Sequence, residues 1–473
     1  MPTNPGEVSR AGEVRIERDS MGEVEVPAAA LWGASTQRAI LNFPVSGEKM
    51  PLRLIHALGL VKAAAAAANR ELGALDEARA RAIEQAAREV AEGRHDAQFV
   101  LDVFQTGSGT STNTNANEVI ARLAERSLGP QVGGVHPNDH VNRSQSSNDV
   151  MPTALHVAGR LAIQQELLPA LRRLHACLAR KAAACDDVVK IGRTHLMDAT
   201  PLRLSQELGG WARQVELGVQ RAEAAGEALA ELALGGTAVG TGLNRPVGFP
   251  ERAIADLERA TGVRFREAAD HFEAQAARDG AVEASGALRT IAVSLFKIAS
   301  DLRLLASGPR CGLGELRLPA LQPGSSIMPG KVNPVICESV TQVAAQVIGH
   351  DAAIAVAGLS GQLQLNAFLP LIARNLLESV RLLANVSNLF VERCLEGLEV
   401  DRQRAGAWVE GSLALVTALV PAIGYDAAAR IAKRCAETGK TVREVCLEQR
   451  VLPRDQLERL LDPRAQTEPG GAS

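Results

Sequence analysis

Apolar residues recur at spacings of three and four along most of the chain, which is the pattern of amphipathic α-helices. Two clear examples are LIHALGLVKAAAAAANREL at 54–72 and ARARAIEQAAREVAEG at 78–93. Farther along, the same pattern predicts five long helices, at roughly 152–185, 201–233, 276–306, 334–357 and 367–396. At about 1.5 Å of rise per residue, each would span about 35 to 50 Å, which is longer than an ordinary globular helix. Helix therefore dominates the predicted fold.

Two of these helices lack a generous polar face. The segments 284–308 and 340–358 carry Ala, Val, Ile and Gly round most of their circumference. Such a helix is usually buried on all sides, and in a soluble chain other subunits often cover it. We therefore expect an oligomer, and the alternative is a large monomeric bundle. The two ends of the chain, 1–20 and 462–473, have the composition of tails.

Composition excludes several classes of function. The 473 residues include 51 Lys and Arg and 54 Asp and Glu, with the two signs interspersed, and aromatic residues are only 3%. Nucleic acid is therefore not an expected partner. Seven cysteines without a C-x-x-C pair indicate reduced, mostly buried thiols rather than a structural zinc or iron–sulfur site. The N-terminus has no signal or transit pattern, and no apolar run is long enough to span a membrane, so we expect a soluble cytoplasmic protein with no membrane partner.

Polar clusters rich in Gly, Ser, Thr and Asn stand in front of helical segments. The four clusters are GSGTSTNTN (107–115), SQSSND (144–149), GRTHLMDAT (192–200) and GSSIMPGKVN (324–333). Pro152, Pro201 and Pro334 are expected at or near first helical positions. Free backbone N–H groups and the helix dipole make each helix start an anion receptor. One cluster alone would be ordinary capping, but four of them, with Lys331 and His195, indicate convergence on a small, multiply anionic ligand such as a dicarboxylate.

The stretch PGSSIMPGKVNP (323–334) is a shaped loop, and it does not match a nucleotide-binding loop. Five residues separate Gly324 from Gly330, and Val332 follows the lysine. The P-loop pattern has a shorter spacing, and Ser or Thr follows its lysine. The segment GGTAVGTGLN (235–244) lacks the preceding strand and the third glycine of a dinucleotide site.

A metal site is also not expected. His136 and His140, in HPNDH, have a metal-like spacing. Pro137 argues against a helix at this point, and no third ligand is evident. We therefore predict neither a metal nor a cofactor.

Ser325 is the candidate reactive group of the loop. It has no Gly-x-Ser-x-Gly elbow around it, so acyl transfer is weakly supported. Beside Lys331 and a helix N-terminus its alkoxide would be favoured, which would allow the serine to act as a base. Removing a proton next to a carboxylate creates an enolate-like dianion, and the polar clusters are suited to stabilise it with preorganised donors.

Several long motifs resemble the fumarase/aspartase superfamily, and the similarity runs across nearly the whole chain. These motifs are RDSMGEVEVPAAALWGASTQRA, FQTGSGTSTNTNANEV, HPNDHVNRSQSSNDVMPTALH, GRTHLMDATPL, ELALGGTAVGTGLN, FEAQAARDGAVEASGAL and PGSSIMPGKVNP. The chain most resembles the class II fumarate hydratases, which are the metal-free type.

The resemblance implies an all-α, three-domain fold whose central five-helix bundle forms a twenty-helix core in a homotetramer. The implied domains are N-terminal and mostly helical (1–143), a central helical bundle (144–398), and a small C-terminal helical domain with a disordered tail (399–473). The implied activity is reversible hydration of fumarate to (S)-malate through an aci-carboxylate intermediate. The sites would be built from three subunits.

The resemblance also implies roles for individual residues. Ser325 corresponds to the base that removes the C3 proton, and His195, oriented by Glu338, to the second acid/base group. Lys331 and Asn333 are expected to take part in catalysis as well. The implied substrate-binding positions are Ser108, Gly109, Thr110, Ser146, Ser147, Asn148, Thr194, Ser326, Lys331, Val332 and Asn333. The implied second, non-catalytic anion site consists of His136, Pro137, Asn138 and Asp139.

The chain also departs from the fumarase pattern. Some fumarases have a basic residue where this chain has Gly133, and His140 and GQLQLN (361–366) are more similar to aspartase. SQSSND, Gly330 and His136 are similar to fumarase. The alternatives are an aspartate ammonia-lyase and a catalytically silent helical oligomer, and the presence of all the reactive groups argues against the silent one.

Overall fold

The structure is a computed structural model, and it describes residues 12–129 and 132–470. These residues form two compact units. The first takes the described residues up to Leu168, together with Arg221–Arg289 and Gln346–Leu383. The second takes Pro169–Gln220, Thr290–Ala345 and the described residues from Ala384 onward. The predicted three-domain division, with boundaries at 143 and 398, stays a prediction.

A β-hairpin and four helices come first in the described chain. They are β1 (Val14–Asp19), β2 (Gly22–Pro27), α1 (Ala34–Asn42), α2 (Leu52–Glu71), α3 (Glu77–Ala91) and α4 (Thr110–Ser127). The hairpin pairs all six residues of β1 with β2, so the prediction of a tail was wrong for Val14–Asp19. Residues 1–11 lie outside the described chain.

The remaining helices follow in chain order. They are α5 (Ser147–Ala162), α6 (Leu168–Ala184), α7 (Leu204–Ala228), α8 (Phe249–Thr261), α9 (His271–Ala276), α10 (Asp279–Leu305), α11 (Val335–Gly358), α12 (Leu369–Phe390), α13 (Arg402–Gly411), α14 (Val420–Ile423), α15 (Tyr425–Thr438), α16 (Val442–Gln449) and α17 (Arg454–Leu460). A π-helical turn, Ile163–Leu167, joins α5 to α6, and a second one, Val391–Leu395, extends α12. The five predicted long helices are thereby confirmed as α5 with α6, α7, α10, α11 and α12.

The strands after β2 are short, and each sheet within the described residues has two strands. These strands are β3 (Val189–Thr194), β4 (Met197–Arg203), β5 (Glu231–Leu232), β6 (Arg266–Glu267), β7 (Leu316–Arg317), β8 (Gly361–Gln362), β9 (Leu365–Asn366) and β10 (Glu399–Val400). All pairs are antiparallel except β5 with β6, which is parallel. The fold is therefore all-α in class, with small sheets that connect helices.

Two prolines lie elsewhere than predicted. Pro152 was expected near a helix start, but Ser146 begins α5 earlier with a capping box to Asp149, and the proline lies inside the helix. Pro201 was also expected at a helix start. It lies in β4, paired with Ile191, because GRTHLMDAT folds into the β3–β4 hairpin instead of a loop.

The C-terminal end is more ordered than its composition indicates. A 3₁₀ turn, Ala465–Thr467, ends within the second unit, and Thr467 is buried. The side-chain amide of Gln206 donates to the Thr467 carbonyl at 2.9 Å. Tail composition was therefore a poor guide for these residues, while 471–473 lie outside the described chain.

Helix α11 has the length and mean hydropathy of a membrane span, so the prediction that no apolar segment is long enough for one was wrong by this criterion; 44% of its most apolar window is buried. Among the described residues, α13 and the segment Leu413–Ile423 meet the same criteria only when counted together, and they are bent by 65° relative to each other. Core helices of soluble proteins also meet these criteria.

Candidate active site

Two helix starts meet in the first unit and bring together most of the predicted substrate-binding hydroxyls. Thr110 is the first residue of α4, after Gly109 with a φ of 73°, and Ser147 is the first residue of α5, after its N-cap Ser146. The hydroxyls of Thr110 and Ser147 are 2.7 Å apart, and Ser108 lies 2.7 Å from Thr110. The positive ends of two helix dipoles, with three hydroxyls between them, suit an anionic ligand, and the predicted binding of such a ligand here stays a prediction.

The approach to α4 is fixed by a tight backbone contact at Gly107. A β-carbon at this position would lie 1.7 Å from the Ala367 carbonyl oxygen, so only glycine fits. The Gly107 carbonyl accepts a hydrogen bond from the Leu369 N–H at 2.9 Å. Gln105 then accepts from the backbone N–H and the hydroxyl of Thr112, at 3.0 and 2.8 Å. The Ser108–Thr110 segment is therefore held from both sides.

Asp149, which sequence reasoning did not count as a site residue, connects the start of α5 to the GGTAVG segment. Its carboxylate accepts from the N–H groups of Ser146 at 2.9 Å, Gly235 at 3.0 Å and Thr237 at 2.9 Å. Full burial raises the pKa of this carboxyl to about 6. Asn148, a predicted substrate ligand, also binds this segment, because its side-chain amide donates to the Ala238 carbonyl at 2.8 Å.

Beneath these groups lies a buried lysine that the sequence analysis did not single out. The Lys62 ammonium donates to the Asn142 side-chain oxygen at 2.8 Å, and Asn113 donates to the same oxygen at 3.2 Å. Burial lowers the pKa of Lys62 to about 7, although the Asp149 charge acts in the opposite direction. In the sequence, Lys62 stands out only as a single charged residue next to a run of alanines. In the structure, Lys62 contacts Asn142, which lines the candidate site.

Lys62→Met is expected to flatten the pH dependence of stability between about pH 7 and about pH 9.5. The folded-state pKa of Lys62 lies below its ordinary value of 10.5, so the unfolded chain binds more protons here and the free energy of unfolding rises with pH. The gain is about 3 kcal/mol for a shift of this size, and the variant would lack it. Thermal unfolding at both pH values measures the difference, with the exposed Lys433→Met as control. An equal pH response in Lys62→Met and the parent would contradict the burial of the lysine.

A cleft of about 440 Å³ opens over the hydroxyl cluster. Thr110, Ser146 and Ser147 line it together with Asn138 and Asp139, two residues of the predicted second anion site. The volume suits a small ligand. Two sets of residues that the sequence analysis treated as separate sites therefore face one cleft.

The HPNDH segment forms a single π-helical turn, Pro137–Val141, so the expectation that Pro137 prevents a helical turn was wrong. Proline at the first position of the turn lacks only an N–H that would have no partner within the turn. The His136 ring nitrogen Nδ1 accepts from the N–H groups of Asn138 and Asp139, at 3.3 and 3.1 Å. The His140 Nδ1 accepts from the His136 N–H at 2.8 Å, and burial lowers the pKa of His140.

A basic side chain does lie against this segment, although Gly133 replaces the one seen in some fumarases. Arg79, on α3, donates to the carbonyls of Val132 at 2.5 Å and Gly134 at 3.1 Å. Its charge also contributes to lowering the pKa of His140. No pattern in the sequence distinguished Arg79 from the other arginines of an amphipathic helix. Across 12–129 and 132–470, no group of three or more His, Cys, Asp and Glu is placed to hold a metal.

In the second unit, Thr194 and His195 lie at the tip of the β3–β4 hairpin. His195 and Leu196 form the two-residue turn, and both have positive φ, 57° and 62°. Such a turn favours Asn and Gly, so His and Leu are strained there, and strain of this kind is concentrated at functional sites. Thr194 and His195 are exposed, as are Leu196 and Met197, at 71% and 70%. The tip therefore presents a histidine and two apolar side chains.

Buried charges anchor the base of this hairpin. The Lys190 ammonium lies 3.0 Å from the Glu207 carboxylate and 3.2 Å from that of Glu315, and Arg193 lies 2.6 Å from Glu315. Glu315 is almost completely buried, and its two oxygens make ion pairs without well-aligned hydrogen bonds. The exposed tip is therefore carried on a base that is held by buried ion pairs.

The loop before α11 is closed on itself by hydrogen bonds. The Gly324 N–H donates to the Lys331 carbonyl at 2.7 Å, and the Asn333 side chain donates to the Gly324 carbonyl at 2.8 Å. The Lys331 ammonium donates to the Asn333 side-chain oxygen at 2.7 Å. Ser326, Lys331 and Val332 are exposed, so the loop presents a lysine, a hydroxyl and apolar groups outward.

Within this loop, Ser325 is the oxygen best placed to carry negative charge. Its hydroxyl oxygen accepts from the N–H groups of Ile327 at 3.3 Å and Met328 at 3.1 Å. Two converging donors stabilise an alkoxide, as a base at this position requires. Glu338 is the fourth residue of α11, and no hydrogen bond or ion pair joins it to His195 in the part of the chain that the structure describes. The orientation of His195 by Glu338 therefore stays a prediction.

Comparison with known proteins places this chain in a class of lyases. Residues 22–349 match the family model described as lyase, and residues 415–468 match that of the fumarase C C-terminus. A class II fumarate hydratase of Corynebacterium glutamicum is 56% identical over 454 residues, covering 96% of this chain and 95% of that protein. One of Mycobacterium tuberculosis is 56% identical over 455 residues, covering 95% of each.

Solved structures agree with the sequence comparison. The class II fumarase of Schistosoma mansoni has a TM-score of 0.93 at 38% identity, covering 96% of this chain and 99% of that one. A Brucella melitensis fumarate lyase:delta crystallin bound to cobalt has a TM-score of 0.92 at 47% identity, covering 97% and 100%. The chain belongs to the class II fumarate hydratase family.

Proposed function

We propose that this protein is a fumarate hydratase that interconverts fumarate and (S)-malate. The observation that carries the chemical part of the proposal is Ser325, whose oxygen receives two backbone N–H groups in a loop that also bears Lys331. Relatives that are 56% identical over nearly the whole chain carry the name class II fumarate hydratase. A four-carbon dicarboxylate is the small, doubly charged ligand that helix starts and hydroxyls suit.

In the proposed reaction, Ser325 removes the C3 proton of malate and the neighbouring carboxylate takes up the charge as an aci-carboxylate. Hydrogen-bond donors that are already in place then stabilise this dianion without reorganisation. The substrate carboxylates are held by the Thr110–Ser147 cluster and by Lys331. His195 is the second acid/base group, and water adds to fumarate on the face opposite the added proton, which gives anti stereochemistry.

We also propose that the protein is a homotetramer whose active sites each combine three chains. The residues assigned to the reaction fall into three groups: the hydroxyl cluster, the hairpin tip with His195, and the Ser325 loop. The hairpin tip and the loop carry strongly exposed apolar side chains, including Leu196 at 71% and Ile327 at 83%. Helices α10 and α11 also expose apolar groups, such as Phe296 and Val356. Other copies of the chain would cover these surfaces.

The proposed catalytic site uses neither metal nor cofactor, and the proposed location is the cytoplasm. The proposed second anion site is reached from the same cleft and consists of His136, Pro137, Asn138 and Asp139.

Two features of the sequence that are similar to aspartase make hydrogen bonds within the chain. His140 accepts a backbone N–H, and Asn366, the last residue of GQLQLN, donates to the Ala357 carbonyl at 2.9 Å. These contacts give His140 and Asn366 structural roles, and the choice between the two lyases is left to the assay below.

The ultraviolet absorbance of fumarate tests the proposal directly. Purified, EDTA-treated protein is expected to consume fumarate in plain buffer and to release none from L-aspartate. Parallel reactions with and without ammonium separate the two lyases. Loss of fumarate only with ammonium, or fumarate formed from aspartate, would identify an ammonia-lyase. If no reaction occurs in any of these assays, the catalytically silent oligomer is the remaining alternative.

A further inference from the structure

Two thiols that the proposed mechanism does not use touch each other at the start of α11. The sulfur atoms of Cys337 and Cys394 are 3.9 Å apart in the second unit. Cys337 is the third residue of α11, and Cys394 belongs to the π-helical turn that extends α12. Both side chains are buried, with 0% and 2% exposure. This position matters because Cys337 lies between Asn333 and Glu338 in the sequence, and both of these residues are assigned to the proposed catalytic site.

The two thiols have different acidities. The hydrogen bond from Cys394 lowers the pKa of Cys337, and the same interaction raises the pKa of Cys394. The start of α11 also favours negative charge on Cys337, because the helix dipole is positive there and the backbone N–H of Cys337 interacts with its own sulfur. Cys337 is therefore the nucleophile of the pair, and Cys394 holds the proton.

A small cavity lies beside the pair. It has a volume of about 10 Å³ and is lined by both cysteines, together with Pro319, Asn333 and Pro334. Such a volume holds about one water-sized molecule. A small, uncharged oxidant can enter it with slight opening of the walls, whereas a large disulfide such as oxidised glutathione cannot.

From this geometry we infer that Cys337 and Cys394 form a redox-sensitive dithiol that hydrogen peroxide converts to a disulfide. The Cys337 thiolate attacks one peroxide oxygen, the O–O bond breaks, and the products are a sulfenic acid and hydroxide. The Cys394 sulfur then attacks the Cys337 sulfur, the S–O bond breaks, and water leaves. In total, two thiols and one peroxide give one disulfide and two waters, so the thiols are oxidised and the peroxide is reduced.

Disulfide formation would displace the root of the Ser325 loop. An S–S bond is about 2.05 Å long, so the sulfurs must approach by about 1.9 Å from their present 3.9 Å. Catalytic groups tolerate only about 0.5 Å of displacement, and an error of about 1 Å can cost a hundredfold in rate. The oxidised protein is therefore expected to lose at least tenfold in activity, a consequence that rests on the proposed function.

The test uses the full-length protein with Cys311, the exposed thiol, replaced by serine. After peroxide treatment and alkylation, peptide mass spectrometry is expected to find a Cys337–Cys394 disulfide, two hydrogen masses lighter than the dithiol. Dithiothreitol should restore both the thiols and the activity. Cys394→Ala should prevent the disulfide. Cys435→Ala, which removes a buried thiol of the C-terminal core, should not prevent it.

The mass measurement decides the inference independently of the enzyme activity. The inference would be overturned if both thiols stayed free under conditions in which peroxide oxidises an equimolar surface-thiol standard. So would irreversible oxidation of Cys337 without a bond to Cys394. If the disulfide forms and the reduced protein does not hydrate fumarate, the proposed function fails and the dithiol stands. If the disulfide forms and activity is unchanged, the coupling to the Ser325 loop is wrong.

Discussion

Ser325→Ala is expected to lower kcat for malate dehydration by about a thousandfold, with little change in KM. A general base contributes about 10²- to 10⁴-fold, and it acts mainly in the transition state. The loop should keep its shape, because its ends are joined by the Gly324, Lys331 and Asn333 hydrogen bonds, none of which involves the Ser325 hydroxyl. Initial rates over a range of malate concentrations measure the change, and size-exclusion chromatography checks that the assembly is retained.

Ser326→Ala is the matched control for this variant. It removes a hydroxyl of the same size from the next residue, which is exposed and is assigned only to substrate binding. A rise in KM with kcat within about tenfold is expected. If Ser325→Ala kept activity within a few-fold of the parent, or if the two serine variants were equally impaired, the assignment of the base would be wrong.

The long helices could be predicted from the sequence because their signal is local and repeated. A spacing of three and four over more than twenty residues leaves little ambiguity, and α7, α10, α11 and α12 follow the predicted segments within a few residues. The presence of helix starts near two polar clusters was also predicted, because clusters of Ser, Thr and Asn cap helices, although α4 and α5 begin inside their clusters, at Thr110 and Ser147. The part of the candidate site that depends on helix N-termini was therefore predictable.

The hairpin that carries His195 was not predictable in the same way. Its turn residues, His195 and Leu196, have positive φ although neither is a residue that favours it. Nothing local marks such a turn. The base of the hairpin also depends on a contact between residues far apart in the sequence, because Lys190 pairs with Glu315. The strand pairing around Pro201 was missed for the same reason.

The buried groups beneath the site show a second limit of sequence reasoning. Asp149 is readable as a capping residue from its position after Ser146, but its bonds to Gly235 and Thr237 depend on tertiary structure. Lys62 in an alanine-rich helix gives no indication that it reaches Asn142. Motifs indicate the groups that are proposed to meet the substrate, whereas the groups that hold them in place are found only when distant segments are brought together.

Lys331→Met is expected to raise KM and lower kcat, with a combined loss of about 10²- to 10³-fold in kcat/KM. The ammonium is proposed to pair with a substrate carboxylate and to add positive potential near Ser325. Truncating one partner of a desolvated, charge-assisted pair costs about 2 to 5 kcal/mol. In the free chain the lysine is exposed and donates to the Asn333 side chain at 2.7 Å, so it is held in place before substrate arrives. Steady-state kinetics in both directions measure the two parameters.

Two further substitutions help to interpret the loss expected for Lys331→Met: the first keeps the charge at this position, and the second is a control elsewhere in the chain. Lys331→Arg keeps the positive charge but cannot present it as a compact point, so it should recover part of KM and less of kcat. Lys440→Met removes a lysine that lies in the loop between α15 and α16 and pairs with Glu448 of α16, and it should leave both parameters unchanged. If Lys331→Met left kcat and KM unchanged, the lysine would not bind the substrate, and the potential at Ser325 would come from the N–H groups of Ile327 and Met328 alone. If Ser325→Ala still lowered kcat by about a thousandfold in that case, two backbone donors would be sufficient to activate the base.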